Sequence, residues 1–173
     1  MNIDGKAWRT IWLEPDGRAV GVIDQTLLPH QFTTRTLRSC AEAADAISTM
    51  VVRGAPLIGV TGAYGLMLAL QADPSDGALA AAFEQLNATR PTAINLRWAL
   101  ERVRALVQQL PQAERAEAAR LEAAAIADED VAMGEAIGEH GLAIFHQLAA
   151  RKPGARLNVL THCNAGWLAT VDW

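Results

Sequence analysis

The sequence predicts a mainly helical domain with a small antiparallel β element at its N-terminus, followed by the opening of an α/β unit. Three observations carry that expectation. Two short β-rich runs flank an Asp-Gly pair near the start, helical periodicity then runs from about Cys40 to Ala150, and a compact apolar run follows a Lys-Pro-Gly stop.

Residues 8–13 and 18–24 are rich in Trp, Ile and Val and are separated by Glu14-Pro15-Asp16-Gly17, a hairpin signal because Asp-Gly suits a tight turn. Residues 24–36 carry Pro29 and several threonines, which suits an irregular or short-strand connection. Helices are then expected over 41–51, 56–70, 77–88, 91–110 and 113–150. The last is dense in strong helix formers, and Gly134, Gly138 and Gly141 mark places where it bends or lets a neighbour approach. Lys152-Pro153-Gly154 stops it. Residues 157–160 read as a buried strand, and Thr161-His162-Cys163-Asn164-Ala165-Gly166 turns that strand toward a helix starting near Trp167. The chain is therefore expected to divide into a hairpin-plus-helical domain over 1–152 and the start of an α/β domain over 153–173. One strand cannot make a parallel sheet, so the chain is expected to end inside that second domain.

Composition narrows the function. The 173 residues are 51% hydrophobic and 20% charged, enough to bury a core. A formal net charge of −4 lacks the basic footprint of a nucleic-acid binder. Cys40 and Cys163 form no C-x-x-C pair, so neither a zinc ribbon nor a disulfide framework is suggested, and reduced thiols in the cytoplasm are the expectation. The start of the chain has no apolar signal core. The most apolar run, residues 57–70, is short and interrupted by Gly59, Gly62 and Gly65, and reads as a buried helix rather than a membrane span.

Three turns share a pattern in which a polar or basic residue precedes a helix. In Arg53-Gly54-Ala55-Pro56, small residues let a ligand approach backbone N–H groups at a helix start, and Arg53 can add a charge-assisted contact to an anion. The same residues also fit a tight inter-helix turn with a solvated arginine. Arg90-Pro91-Thr92-Ala93-Ile94-Asn95 repeats the arrangement with the same two readings, and Asn95 is expected to be structural. Cys163 lies at the carboxyl end of the expected strand, ahead of the expected helix, where a dipole would favour a thiolate; a packing cysteine is the alternative. A metal site at His162-Cys163 is disfavoured because adjacent residues on a strand point to opposite faces. His30, His140 and His146 read as surface or packing residues, and Asp128-Glu129-Asp130, Glu135 and Glu139 as the solvated face of a long helix.

Taken together, VVRGAPLIGV, RPTAINLRWA and LTHCNAGWLAT, with Ile23-Asp24-Gln25-Thr26 and Leu28-Pro29 upstream, resemble the methylthioribose-1-phosphate isomerase family. Its superfamily also includes the regulatory subunits of translation initiation factor eIF2B and ribose-1,5-bisphosphate isomerase. The resemblance implies an N-terminal helical domain followed by a Rossmann-like domain of which only the start is present. It implies isomerisation of S-methyl-5-thioribose 1-phosphate to the ribulose 1-phosphate in methionine salvage, without metal or nucleotide cofactor, by a protein that is a homodimer at full length. It assigns Arg53, Gly54 and Ala55 to one substrate-binding turn, Arg90 to a second, and Cys163 to catalysis. The family's catalytic aspartate lies downstream of the cysteine motif, and Asp172 does not match it, so this chain is expected to be inactive alone. An eIF2B-like assembly subunit and an isomerase of another pentose phosphate are the competing readings.

Overall fold

The computed structural model describes residues 1–173. The chain opens with a two-residue ladder, β1 (Asn2–Ile3) against β2 (Lys6–Ala7). A three-stranded antiparallel sheet follows, in the order β3 (Ile11–Leu13), β4 (Val20–Ile23), β5 (Thr34–Leu37). The expected hairpin is β3–β4, in register at Ile11 opposite Val22 and Leu13 opposite Val20. Its turn works as Asp-Gly chemistry predicts: Gly17 takes φ 68°, and Asp16 Oδ1 accepts from the Arg18 N–H. The threonine-rich connection ends in β5, which pairs Val20 with Leu37 and Ile23 with Thr34. Every residue of the central strand β4 is buried, so the sheet is a lid sealed onto the helices.

Five helices follow: α1 (Cys40–Ser48), α2 (Ala55–Ala72), α3 (Asp76–Thr89), α4 (Ile94–Val107) and α5 (Gln112–Arg151). The caps of α1 and α3 are local chemistry. Ser39 Oγ accepts from the Glu42 N–H and Ser75 Oγ from the Ala78 N–H, each satisfying a donor left free by the first turn. By length and composition alone α2 could cross a membrane, but its apolar residues face inward on nearly every side, as the reading of residues 57–70 anticipated. A helix apolar all round belongs at the centre of a core. The other helices pack around it.

Glycine makes that packing close. A Cβ at Gly59 would press on the backbone of Asn95, one at Gly62 would overlap Leu96, and one at Gly65 would crowd Leu86 and Ala43. Gly59 opposite Asn95, and Gly62 opposite Leu96 and Leu100, means that α2 and α4 run parallel with their N-termini at one end. Helix α5 runs antiparallel to α4, because Arg102 reaches forward to Glu122 and Glu129, and Trp98 meets Met133. Arg115, almost fully buried, fastens the start of α5 by donating to the carbonyls of Leu110 and Pro74 and to Asp76.

Two expectations are corrected at the C-terminal end. Residues 157–160 form no strand: residues 155–162 have no regular structure, and Val159 and Leu160 are 71% and 98% exposed. The reason is pairing, since a strand exists through its neighbours and nothing in this chain lies beside the segment. The helix expected near Trp167 is a single 3-10 turn, Trp167–Ala169. Instead of extending outward, residues 164–172 return as a strap across the helical body. Ala169 and Val171 are buried, and Val171 belongs to the main core. Of the three glycines flagged in α5, Gly134 is the one closely approached, by Trp173; Gly138 and Gly141 are open.

Leu100 is fully buried between α4 and α2. Leu100→Ala should lower the unfolding free energy by about 2–5 kcal/mol, measured by urea denaturation, because the tight glycine interface cannot collapse into the space.

Candidate functional site

The parallel pairing of α2 and α4 has a direct electrostatic result. Both helix N-termini, with their partial positive charge and free N–H groups, emerge at the same end of the molecule. Neither is capped by a side chain: the cap positions are Gly54 and Ala93. Arg53 immediately precedes the first and is exposed; Ala55, also exposed, is the first residue of α2, with Pro56 following it. Arg90 ends α3, and its carbonyl accepts from the Ala93 N–H, closing a turn through Pro91 and Thr92 before α4 begins at Ile94. Pro91 therefore sits in the turn and not inside the helix. The expected helix over 91–110 is shorter at both ends.

The third turn meets the first. Asn164 Nδ2 donates to the carbonyl of Arg53 at 3.2 Å. Gly54 takes φ 108°, and a Cβ there would overlap the Ala169 backbone, so glycine is required both by conformation and by the strap lying on it. Cys163 is exposed with a free thiol and adopts φ 65°, a left-handed conformation uncommon outside glycine. With only a 3-10 turn behind it, the thiol lacks the helix dipole that the expected α-helix would have supplied. The other cysteine differs: burial pushes the Cys40 thiol up to about 11, which leaves it an unreactive packing group.

Beside the two helix starts, α2, α4 and α5 enclose a groove of about 330 Å³. Pro56, Gly59, Val60, Ile94, Trp98 and Met133 form most of its wall. Ile94 is 82% exposed and Met133 61%, so the groove presents apolar surface without a protein partner. Asn95 is another wall residue. Glu129 at the rim is not a free base: Arg102 binds it through two nitrogens and also holds Glu122, and that pairing lowers the Glu129 carboxyl and raises the guanidinium.

The acidic run of α5 is thus not one solvated face. Asp128 pairs with Arg9, Glu129 with Arg102, and Asp130 turns inward to accept from the Val171 N–H at 2.7 Å. Burial raises the Asp130 carboxyl above its ordinary value of 3.8, opposed by that hydrogen bond. Sequence periodicity missed this, because its partner lies 41 residues away. Glu135, Glu139, His30, His140 and His146 are exposed, as expected. Asp172 Oδ1 pairs with the N-terminal amino group at 2.6 Å, away from any catalytic arrangement.

The structure is thus an α-helical body with two uncapped, arginine-preceded helix starts at one end and a cysteine turn hydrogen-bonded to one of them. Residues 51–171 match the model of the Initiation factor 2 subunit family, and the chain belongs to that family. It is 61% identical over its whole length to a methylthioribose-1-phosphate isomerase of Methylobacterium nodulans, of which it covers 47%. Two solved structures are similar over 96% of the chain. One is the 5-methylthioribose 1-phosphate isomerase of Pyrococcus horikoshii, 39% identical with a TM-score of 0.79, and the chain covers 46% of it. The other is subunit delta of initiation factor eIF-2B from A. fulgidus, 36% identical with a TM-score of 0.78, of which 48% is covered. The chain spans about half the length of the isomerases it matches.

Because Asp130 holds its proton more tightly in the folded chain than in the unfolded one, its stabilising contribution is complete below pH 3.8 and is lost as pH rises through the folded value. Asp130→Asn keeps the acceptor for Val171 and removes the charge. Its unfolding free energy relative to the parent should improve as pH is raised from about 4 to 7; a flat or falling difference in parallel denaturation series would contradict this sign.

Proposed function

We propose that the chain is the phosphate-binding, N-terminal half of an aldose–ketose isomerase acting on S-methyl-5-thioribose 1-phosphate. The observation that carries this reading is the junction of the three turns: two uncapped helix starts led by Arg53 and Arg90, with the Cys163 turn hydrogen-bonded to the first. The identity to named isomerases supports it. In this reading Arg53, Gly54, Ala55 and Arg90 hold the phosphate, and Cys163 takes part in stabilising charge or moving a proton.

The chemistry asks for such a site. A sugar phosphorylated on its anomeric oxygen cannot open as a free aldose does, so charge must be stabilised as the ring opens before hydrogen moves between neighbouring carbons. Fixed backbone dipoles and guanidinium groups hold the phosphate without titrating near neutrality. The apolar groove beside them suits the methylthio end of the same substrate, with the Trp98 ring and the Met133 side chain against the thioether. A carboxylate for proton transfer, a Rossmann-like domain beginning at residue 153, a homodimeric assembly and a cytoplasmic location belong to the same proposal. The second reading, an assembly subunit like the eIF-2B protein, is favoured by an almost equal structural likeness.

Calorimetric titration of the 173-residue chain with the sugar phosphate should show binding that Arg53→Ala and Arg90→Ala each weaken by about tenfold or more. No binding would favour the assembly reading. The chain alone should show no turnover, and turnover would remove the need for a carboxylate from outside these residues. In a full-length isomerase carrying this sequence, Cys163→Ser should abolish isomerisation while leaving binding intact; retained activity would return Cys163 to a structural role. Trp98→Ala should reduce the preference for the methylthio sugar over ribose 1-phosphate by about tenfold, read as the ratio of the two binding constants.

A further inference from the structure

We propose that Gln25 is a positioning residue of this site, clamping the strap that carries Cys163 onto the backbone that leads into Arg53. What the site does rests on the function proposed above, but the clamp itself rests on geometry. Gln25 follows β4 by two residues and is 5% exposed. Its backbone N–H donates to the carbonyl of Val51 at 3.0 Å, two residues before Arg53. Its side-chain Nε2 donates to the carbonyl of Leu168 at 2.6 Å, five residues after Cys163. One residue therefore bonds to the backbone leading into the first turn and to the backbone following the cysteine turn.

The orientation of the amide is determined by that second bond, since the reversed amide would place one carbonyl oxygen against another. The consequence is that Oε1 is buried with no protein partner. A side chain serving only to fill space would do so without a buried unpaired oxygen, whereas a donor aimed at Leu168 is something no aliphatic residue of that length can supply.

The position of the clamp along the strap matters. Asn164 bonds to the Arg53 carbonyl and Leu168 to Gln25, so the short segment between them is held at both ends against the Arg53 turn. The remaining anchors act beyond it: Thr10 binds the carbonyls of Thr170 and Val171, Asp130 the N–H of Val171, and the N-terminal amino group Asp172. Loss of those anchors frees the end of the strap. Loss of Gln25 frees the part that sets where Cys163 stands relative to Arg53.

The test is the alkylation rate of Cys163 in the 173-residue chain, followed by mass spectrometry with iodoacetamide, with the half-buried Cys40, whose thiol is pushed up to about 11, as the internal slow control. Gln25→Met, close in length and unable to donate, should change the Cys163 rate by about threefold or more. Thr10→Val removes the hydroxyl's bonds to the far end of the same strap and should leave the rate within about twofold even where it lowers the melting temperature comparably. A Gln25→Met rate unchanged from the parent, or an equal change in Thr10→Val, would overturn the proposal. Should Gln25→Met fail to fold, the unmodified chain still decides the matter: the Gln25 side-chain amide protons should exchange far more slowly than those of exposed Gln147, and equal exchange would overturn it. Neither readout uses a sugar phosphate, so the clamp and the proposed reaction can fail independently.

Discussion

The close approach of α2 and α4 is the constraint from which the rest of the molecule follows. Glycines at 59 and 62 let the two helices lie so near that a single added methyl group at either would meet Asn95 or Leu96. That proximity settles direction as well as distance. Because the pair is parallel, two helix dipoles that would be scattered in an up-and-down bundle point the same way. The starts of the two helices, Ala55 and Ile94, are then brought to one end of the molecule although far apart in sequence. Like partial charges side by side repel, so the arrangement costs stability unless an anion is present, and the absence of side-chain caps at Gly54 and Ala93 adds to that cost.

The electrostatics around the rim separate groups that bind each other from groups that remain open. Arg102 is spent on Glu122 and Glu129, Arg9 on Asp128, and Arg115 on Asp76 and two carbonyls. These pairs neutralise most of the charge α5 brings near the groove. The groove is consequently apolar in spite of its acidic neighbours, and the positive character of the helix starts is not cancelled by a free carboxylate there. Asp130 is the exception, and it is turned to the strap rather than to the helix termini.

The strap is held from four sides, by the sheet-side residues Thr10 and Gln25, by the Arg53 turn, by α5 and by the chain's own N-terminus. The bonds to Thr10, Gln25 and α5 use strap backbone atoms, whereas those to the Arg53 turn and to the N-terminus use the Asn164 and Asp172 side chains. Small residues are required where it crosses Gly54. The exposed run before it, with Val159 and Leu160 in water, and the apolar stretch of α5 around Ile137 and Ile144 are surfaces this chain does not cover itself.

Elements whose information is local were readable from the sequence. The Asp-Gly hairpin, the buried glycine-rich helix and the long Ala/Glu/Arg helix are each specified by residues within a few positions of one another; the two helices match their expected ranges closely, while the hairpin strands are shorter than expected. The three turns were legible too, because arginine, glycine and proline at a helix start carry their chemistry in order along the chain. The strand at 157–160 was misjudged because composition states a propensity while a strand needs a partner that composition cannot provide. Asp130 and Gln25 were missed because their partners, Val171 and Leu168, are 41 and 143 residues distant. The sequence by itself determined which segments are helical and where arginine, glycine and proline lead into helix starts, through periodicity and residue chemistry. Only the tertiary structure decided that the two helix starts lie at one end and that the strap after the cysteine folds back onto the Arg53 turn, because direction, proximity and burial arise when separate helices pack.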